Sequence, residues 1–341
     1  MKLLYITNAR IPTEKAHGLA TMKLCEAFAK KGVEVTLVVP RRINPLKDDP
    51  YVYYGMERNF RIKRLPSFDM LWLGAGERFF FLLQLFSFAL VAAFWLFSRY
   101  IFSGAKDVII FSHDHIPLYF ASFFASRLVY DIHHYPEHTN PYERVLGRAK
   151  LIAVQTKWKI AKLKEDFGVP EEKVVYWPNG TDVERFNISV ARHEARETLS
   201  LPQDKKIALY TGQLFSWKGV DTLIDAAVFL PPDVLIYIVG GEKAEVEKSR
   251  ISARGGSALG GKNQNSKLRN VIFVGQRPWQ EMPVWMKAAD VLILPNTGKE
   301  KVSLYYTSPM KLFEYMASDR PIVASDIPSI REIVDETMVF F

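Results

Sequence analysis

Short apolar segments recur along the first half of the chain, and stretches with helical periodicity separate most of them. The candidate strands are residues 3–7, 33–39, 108–112, 129–132, 151–154 and 174–177. Between the first two, Leu19, Met22, Cys25 and Phe28 recur every third residue, which predicts a helix with one buried face. Parallel strands covered on both faces are nearly continuously apolar and need helical crossovers. The pattern therefore predicts an α/β fold with a doubly wound parallel sheet.

The same alternation starts again in the second half. Candidate strands lie at 207–211, 234–241, 271–275, 291–295 and 321–325, with a helix predicted over 220–230. A chain of 341 residues is long enough for two domains, each with its own core. We therefore expect two Rossmann-like domains, 1–180 and 181–341, with a ligand-binding cleft between them. The Gly-, Ser-, Asn- and Lys-rich segment 252–267 predicts a mobile loop.

Residues 78–99, RFFFLLQLFSFALVAAFWLFSR, form the most apolar segment, with Gln84, Ser87 and Ser98 as its polar side chains between the two arginines. At about 1.5 Å per residue, a helix of this length nearly crosses a bilayer core. A single crossing would, however, separate strands predicted to share one sheet. Since a sheet covers only one side of a helix, we predict a membrane-facing helix that lies in the interface or re-enters it. The alternative is a helix covered entirely by protein.

The net charge of +8 lies in the first half of the chain. Residues 1–180 contain 25 Lys and Arg against 17 Asp and Glu, whereas 181–341 contain 20 of each kind. A basic surface beside an apolar helix favours anionic lipid headgroups or phosphorylated ligands, and the alternative is an ordinary solvated surface. Cys25 is the only cysteine, which excludes a disulfide framework, and the N-terminal apolar segment is too short for a signal peptide. We expect a cytoplasmic protein, peripheral at the cytosolic membrane face.

The stretch 210–227, YTGQLFSWKGVDTLIDAA, combines a strand end with a basic helix start. Gly212 follows the strand, and Lys218 and Gly219 precede the predicted helix. Free N–H groups and partial positive charge at a helix N-terminus suit a phosphate, and Lys218 adds a full charge. The alternative is an ordinary helix start.

The stretch 308–334, SPMKLFEYMASDRPIVASDIPSIREIV, predicts a second helix beginning near Pro309. Met310 and Lys311 would offer backbone N–H groups to a ligand there. Glu314, one turn later, suits the hydroxyl groups of a ribose. The alternative is a surface glutamate on an amphipathic helix.

Together these segments resemble the retaining glycosyltransferases of family 4, which have the GT-B fold of two Rossmann-like domains. The resemblance rests on Gly212-Gln213-Leu214 with Lys218-Gly219, on the helix 309–317 and its following strand, on IVGGEK (238–243), and on WPNGTDVERF (177–186). It covers essentially the whole chain, and the segments occur in the family's order.

The resemblance implies sugar transfer from a nucleotide-activated donor, with retention at the anomeric carbon and without a metal or other cofactor. Lys218 would neutralise the donor diphosphate and Glu314 would hold the ribose. The implied donor site comprises Gly212, Gln213, Lys218, Gly240, Ser308, Pro309, Met310, Lys311 and Glu314. UDP- and GDP-sugars both remain open, and the sequence contains no Asp-x-Asp pair.

Two positions depart from the family pattern. Gln213 stands where the family usually has arginine, and Tyr306 stands where it often has a glutamate that touches the donor sugar. Lys311 is our hypothesis for the compensating cation. An alternative function is a catalytically inactive GT-B module that acts as a binding or partner subunit. A dinucleotide-dependent enzyme is a third, although the first strand lacks a following Gly-x-Gly-x-x-Gly.

In the first domain, the segment 129–137 resembles the family's strand-end Asp-x-His segment, and this implies that His133 is a catalytic residue. His17 and Gly18 take the place of the family's glycine loop on the acceptor side, and a simple helix start is the alternative. Five of the seven histidines lie at 113, 115, 133, 134 and 138. A metal cluster is therefore a rival, although the spacing matches no standard ligand pattern.

The resemblance also implies the partners. They are a nucleotide sugar, a lipid-linked or polysaccharide acceptor, and the membrane surface through 78–99, with no nucleic acid. Family members continue through closing C-terminal helices, which this sequence does not include. Either the sequence is truncated or the closing element is absent.

Overall fold

The computed structural model describes residues 1–71, 77–102, 107–136, 138–255 and 269–341. Two compact units emerge from the pattern of contacts. The first comprises Met1–Val154 and Lys159–Trp177, and the second comprises Gln155–Trp158 and Pro178–Phe341. The predicted boundary after residue 180 stays a prediction.

Among the described residues, the first unit is built on a seven-stranded sheet. Its strands are β1 (Lys2–Ile6), β2 (Glu34–Pro40), β3 (Arg61–Leu65), β4 (Val108–Ser112), β5 (Leu128–Ile132), β6 (Leu151–Val154) and β7 (Val174–Tyr176). Their order is β3-β2-β1-β4-β5-β6-β7, and every pairing is parallel. The helices are α1 (Ala16–Lys30), α2 (Pro50–Tyr54), α3 (Glu77–Phe102), α4 (His115–Ala121), α5 (Asn140–Arg148) and α6 (Lys157–Phe167), of which Lys157 and Trp158 belong to the second unit.

The second unit has five parallel strands within the described ranges. They are β8 (Lys206–Thr211), β9 (Val234–Val239), β10 (Val271–Gly275), β11 (Val291–Leu294) and β12 (Ile322–Ala324), in the order β10-β9-β8-β11-β12. Its helices are α7 (Val183–Phe186), α8 (Arg192–Thr198), α9 (Val220–Ala226), α10 (Lys243–Gly255), α11 (Met282–Ala288), α12 (Met310–Ala317) and α13 (Pro328–Arg331). The predicted fold class, two parallel α/β sheets, is confirmed.

The predicted strands lie within one or two residues of the observed ones because continuous apolar segments form the centres of both sheets. The sequence analysis missed β3, RIKRL, whose side chains are mostly exposed. This strand lies at the edge of its sheet, where charged side chains are tolerated and help to prevent edge-to-edge pairing. Because Arg and Lys occupy three of its five positions, β3 shows no apolar pattern that would indicate a buried strand. Of the predicted loop 252–267, residues 252–255 end α10, and 256–267 lie outside the described residues.

Helix α3 is apolar on two opposite faces. One face packs into the core through Phe88, Ala92 and Leu96. The other face leaves large side chains exposed, namely Phe79, Leu82, Phe86, Leu90, Phe94, Phe97 and Ile101, and Phe81 is exposed near the helix start. By length and composition Arg78–Ile101 could cross a membrane, with a mean hydropathy of 2.2. The strands on either side of it in the chain, β3 and β4, belong to the same sheet.

Candidate functional site

The second unit brings its predicted donor residues to the carboxyl ends of β8 and β9. Gly212 follows β8 with φ +133°, and its N–H donates to the Val239 carbonyl at 2.7 Å. A Cβ on Gly212 would collide with the Lys311 side chain, and one on Gly240 (φ +119°) would collide with the backbone of Gly212. Only glycine fits these two positions, because each combines an unusual φ with a close approach. The backbone is therefore shaped so that Lys311 can lie against it.

Lys218 lies in a 3₁₀ turn, Ser216–Lys218, just before α9. Gly219 ends this turn in the left-handed conformation, φ +70°. The Lys218 Nζ lies 3.8 Å from the centroid of the Trp217 ring. Burial and the nearby positive charge of Lys311, opposed by Glu314, lower the pKa of Lys218 to about 7. The buried environment of the Lys218 amine therefore disfavours its protonated form, and a bound anion would stabilise that form.

Helix α12 supplies Lys311 and Glu314. Pro309 is the residue before the first helical turn, with ψ 111°, rather than the first helical residue as predicted, and Met310 begins the helix. Burial raises the pKa of the Glu314 carboxyl, and Lys311 and Lys218 oppose this shift. Within the described ranges neither lysine forms an ion pair. Two lysines and one carboxyl thus lie near one another, and no ion pair within the described ranges neutralises either lysine.

Long-range hydrogen bonds hold the segments around these groups. Asn179 donates its backbone N–H to the Ser308 Oγ at 3.1 Å and its side-chain amide to the Ser308 carbonyl at 2.5 Å. The buried Tyr315 hydroxyl accepts from the Thr211 N–H at 2.9 Å, which ties α12 to the end of β8. Through these two hydrogen bonds Ser308 anchors the segment before α12 to Asn179. Asn179 and Tyr315 lie within segments that carry the family resemblance, but the sequence alone predicted no role for either residue.

The two departures from the family pattern lie in the same unit. Tyr210 donates its hydroxyl to the Gln213 carbonyl at 2.7 Å, which fixes the Gln213 backbone. The Tyr306 ring packs 5.1 Å from the Trp158 ring, centroid to centroid, and Tyr305 stacks on the same indole at 5.3 Å. Tyr306 therefore contributes aromatic surface, not charge, next to Trp158.

In the first unit, His133 lies just past the end of β5. Its Nε2 is 2.9 Å from Asp131 Oδ2, and its side chain is partly exposed. Lys159, fully buried in α6, donates to the carbonyls of Ile132 at 2.8 Å and His133 at 3.0 Å. The carboxylate orients the imidazole and the lysine fixes the backbone that bears it. The sequence did not predict a role for Lys159, because the residues next to it do not distinguish this buried lysine from the exposed lysines of the same helix.

A polar cluster at the ends of β1 and β4 lies beside His133. The His113 and His133 rings are 5.1 Å apart, and His113 contacts the Tyr5 hydroxyl at 2.8 Å. Asp114 accepts from the Thr7 hydroxyl at 2.9 Å and the Asn8 N–H at 2.7 Å. Burial raises the pKa of Asp114, but His113 and these hydrogen bonds outweigh it, so the net pKa is lowered.

Residues His17 and Gly18 lie at the start of α1. His17 is exposed and within electrostatic range of His113. Gly18 is buried where a Cβ would overlap Thr13 and the Tyr54 hydroxyl, so its place in the packing requires glycine. The described residues include no group of three or more His, Cys, Asp or Glu placed to hold a metal, and Glu137 of the segment 129–137 is outside them.

These arrangements suit two different kinds of chemistry. In the second unit, Lys218 and Lys311 can bind and stabilise a phosphate or diphosphate, including one that gains charge as a leaving group. In the first unit, the Asp131–His133 pair can accept a hydrogen bond or a proton from a hydroxyl group. The role of every predicted site residue stays a prediction.

Comparison with known families assigns both units. A family model described as Glycosyltransferase Family 4 matches residues 19–185, and one described as Glycosyl transferases group 1 matches residues 205–340. Together the two matches cover most of the chain.

Individual relatives are similar over part of their length. The colanic acid biosynthesis glycosyl transferase WcaI of Escherichia coli K12 is 31% identical over 156 residues, 44% of this chain and 34% of that protein. The phosphatidyl-myo-inositol mannosyltransferase of Mycobacterium tuberculosis H37Rv is 28% identical over 200 residues, 57% of this chain and 44% of that protein. The chain therefore spans less than half the length of these curated relatives.

A solved structure with a similar fold is Anabaena Alr3699/HepE in complex with UDP. It superposes with a TM-score of 0.70 over 100% of this chain and 85% of that one, at 18% identity. This likeness concerns the fold, and it agrees with the two parallel-sheet units described above. The chain belongs to the family 4, or group 1, glycosyltransferases and has the GT-B fold.

Proposed function

We propose that this protein transfers a sugar from a nucleoside-diphosphate sugar to a lipid-linked or other glycoconjugate acceptor. The observation that best supports the proposal is the pair Lys218 and Lys311, which lie near one another and near the Glu314 carboxyl and form no ion pair among the described residues. Gly212 makes room for Lys311 beside the strand end. Such a pair suits a diphosphate better than any neutral ligand.

Relatives support the class of donor and acceptor. The HepE structure contains UDP, and the names of the curated relatives include a phosphatidyl-myo-inositol mannosyltransferase. In our proposal Lys218 and Lys311 bind the donor diphosphate, Glu314 binds the ribose, and His133 lies at the reacting sugar. Retention of configuration and independence from metals follow from the resemblance to family 4 and are part of the proposal.

The donor site is tested by a thermal-shift screen of nucleoside diphosphates and their sugars. A ligand of the folded state raises the melting temperature. We expect UDP or GDP to do so with the wild-type protein and not with Lys218→Gln. Lys206→Gln, at the exposed start of β8, is the matched control and should respond like the wild type. If no nucleotide stabilises the wild type, the donor site is wrong.

Turnover separates an enzyme from the alternative of a catalytically inactive module. The nucleotide sugar found in the screen is offered with lipid-linked acceptors, with and without a chelator. We expect product with unchanged anomeric configuration and no loss of activity with the chelator. Binding without turnover on any acceptor would favour the inactive module, for which Gln213 and Tyr306 are the supporting departures.

We further propose that α3 places the protein on the cytosolic face of a membrane. One face of this helix consists of exposed apolar side chains, and Phe94 on it is 74% exposed. Exposing such a face to water is unfavourable. Exposed Arg78 and Arg99 lie near its two ends and suit anionic headgroups.

Vesicle flotation tests this location. We expect the wild type to float with vesicles that contain anionic lipid, and Phe86→Asp with Phe94→Asp to remain in the soluble fraction. Val52→Asp with Phe229→Asp changes two exposed apolar side chains elsewhere and serves as the control. If the wild type does not float, the exposed face of α3 has another role.

A further inference from the structure

A pocket of about 300 Å³ lies in the first unit where β1, β2 and β3 end. Four cations line it, and we call it the basic pocket. Arg10 comes from the segment after β1, Arg42 and Lys47 from the segment after β2, and Arg64 from β3. Asp48 is its acidic lining residue. Its volume falls at the lower end of the range for small-molecule sites.

Arg42 lies in this pocket without full compensation of its charge. Its Nε is buried and makes no hydrogen bond within the described part of the chain. The Asp69 Oδ2 lies 3.7 Å away, beyond hydrogen-bond distance. Burial lowers the pKa of Arg42, and Arg10 adds to this, whereas Asp69 opposes it. A buried arginine donor without an acceptor is rare in folded proteins, and an anionic ligand in the basic pocket would supply the missing acceptor.

Arg64 and Lys47 are exposed and available to a ligand. Neither forms an ion pair with any residue that the structure describes. Arg64 donates from Nη2 to the Ile11 carbonyl at 3.5 Å, a weak contact. Arg10, by contrast, is bound by both carboxylate oxygens of Glu14. The basic pocket therefore has two cations without an ion pair among the described residues, Lys47 and Arg64, and a third, Arg42, that is paired with Asp69 at 3.7 Å.

The wall of the basic pocket is connected to α3. Asp69 accepts from the Ile43 N–H at 2.8 Å, and the neighbouring Phe68 donates its N–H to the Ser87 Oγ of α3 at 2.9 Å. Beside Ser87 on this helix lie the exposed side chains of Phe86 and Leu90. A molecule with an anionic head and an apolar tail could therefore contact both surfaces.

The position of the pocket also relates it to the chemistry of this unit. Strands of a parallel sheet end on one edge, and His133 follows β5 on that same edge. Arg10, Arg42 and Arg64 follow or end β1, β2 and β3. A ligand held in the basic pocket thus lies along the edge that bears the Asp131–His133 pair.

We propose that the basic pocket binds the phosphate or diphosphate group of a lipid-linked acceptor whose hydrocarbon chain contacts the exposed face of α3. The assignment of this lipid as an acceptor rests on the function proposed above, whereas binding of the phosphate does not. Guanidinium groups match phosphate oxygens in geometry and charge, and Lys47 adds a point charge at the rim.

Calorimetric titration with inorganic pyrophosphate tests the pocket directly. The variant Lys47→Gln with Arg64→Gln removes two exposed cations that form no ion pair among the described residues. The control, Lys2→Gln with Arg127→Gln, removes two exposed cations at the opposite edge of the sheet, before or at the start of β1 and β5. All titrations are made in the Lys218→Gln background, so that the donor site does not contribute. We expect the affinity to fall about tenfold for each pocket cation removed and to remain within about twofold in the control.

Flotation with phosphatidylcholine vesicles identifies the source of the phosphate. The vesicles contain a few mole per cent of either a polyprenyl phosphate or phosphatidylglycerol. We expect the pocket variant to lose its preference for polyprenyl phosphate and to keep the binding that α3 provides. Loss of pyrophosphate affinity alone would overturn the lipid source, and unchanged affinity in the pocket variant would overturn the site.

Melting temperatures and UDP binding of the same substitutions, made in a protein that retains Lys218, separate the possible failures. A pocket variant that melts and binds UDP like the wild type has lost only the basic pocket. If no variant and no wild type binds UDP, the proposed function fails, whereas a selective loss of pyrophosphate binding still supports the pocket.

Discussion

At the scale of single residues, the site depends on charges that the fold leaves incompletely neutralised. Lys218 is the clearest example, because burial and Lys311 together lower its pKa to about 7. Glu314 shows the opposite shift for the same reason, since burial raises the pKa of a carboxyl. Lys218 would regain its full charge when a diphosphate binds, so ligand binding and proton binding are linked.

This linkage gives a prediction for pH. Below pH 7 Lys218 is charged in the free protein, whereas above pH 7 it must take up a proton when the diphosphate binds. We therefore expect the affinity for UDP, measured by calorimetry, to fall by up to about tenfold per pH unit between pH 7.5 and 9. The phosphates of UDP are already ionised in this range, because the second pKa of a phosphate is about 6.

Lys218→Arg is the matched variant, since arginine stays charged throughout. Its affinity for UDP should be nearly independent of pH over the same interval. An equally steep dependence in this variant would show that another group titrates.

A second prediction concerns Lys159, which holds the backbone that bears His133. Lys159→Met preserves the length of the side chain but leaves the carbonyls of Ile132 and His133 without this donor. We expect the free energy of unfolding in urea to fall by about 2–4 kcal/mol. Lys164→Met, at an exposed lysine of the same helix, should change it little. Equal effects of the two variants would contradict the role assigned to Lys159.

At the scale of elements, α3 combines two functions that sequence hydropathy cannot separate. Its buried face packs into the core, and its exposed face remains apolar. Gln84 is the buried polar residue on it, and its amide pairs with that of Asn8 through two hydrogen bonds, at 2.8 and 3.0 Å. This pair ties the helix to the segment after β1, next to Asp114 and the polar cluster.

The Asn8–Gln84 pair gives a third prediction. Gln84→Leu makes α3 more apolar, yet it leaves the Asn8 amide without its partner. We expect it to lower the free energy of unfolding by about 1–3 kcal/mol in a urea titration. In a double-mutant cycle with Asn8→Ala, the combined variant should lose less than the sum of the two single changes. Strict additivity would show that the pair is not coupled.

At the scale of the whole molecule, the proposed donor-binding and acceptor-binding functions belong to two units with separate cores. The cations proposed to bind the nucleotide all belong to the second unit, whereas His133, α3 and the basic pocket belong to the first. Each sheet places these groups at the carboxyl ends of its strands, which is where parallel sheets offer loops and helix starts to a ligand.

This division predicts where a nucleotide protects the backbone. In hydrogen exchange monitored by mass spectrometry, saturating UDP should slow exchange most at 211–219 and 308–315. A ligand at one hundred times its dissociation constant stabilises the folded state by about 2.7 kcal/mol, so the effect is measurable. Protection confined to residues 1–177 would contradict the assignment of the donor site to the second unit.

The sequence alone was sufficient for the class of fold and for the family. Continuous apolar segments such as LIAV and VLIYIV become interior strands because both of their faces are largely buried, and local composition is enough to indicate this. Gly212, Lys218 and the helix beginning at Met310 could be predicted as site candidates because the signal for them lies in neighbouring residues of the chain. Edge strand β3 was missed because an exposed strand carries charged residues, as a solvated loop does.

Only the tertiary structure decided which polar residues act together. Asn179 and Ser308, Thr211 and Tyr315, Asn8 and Gln84, and Lys159 and His133 are far apart in the chain, and no spacing links them. The basic pocket likewise joins cations from three strand ends. Periodicity in the sequence reports which face of an element is buried, whereas the partner that a buried or clustered polar group finds depends on the path of the whole chain.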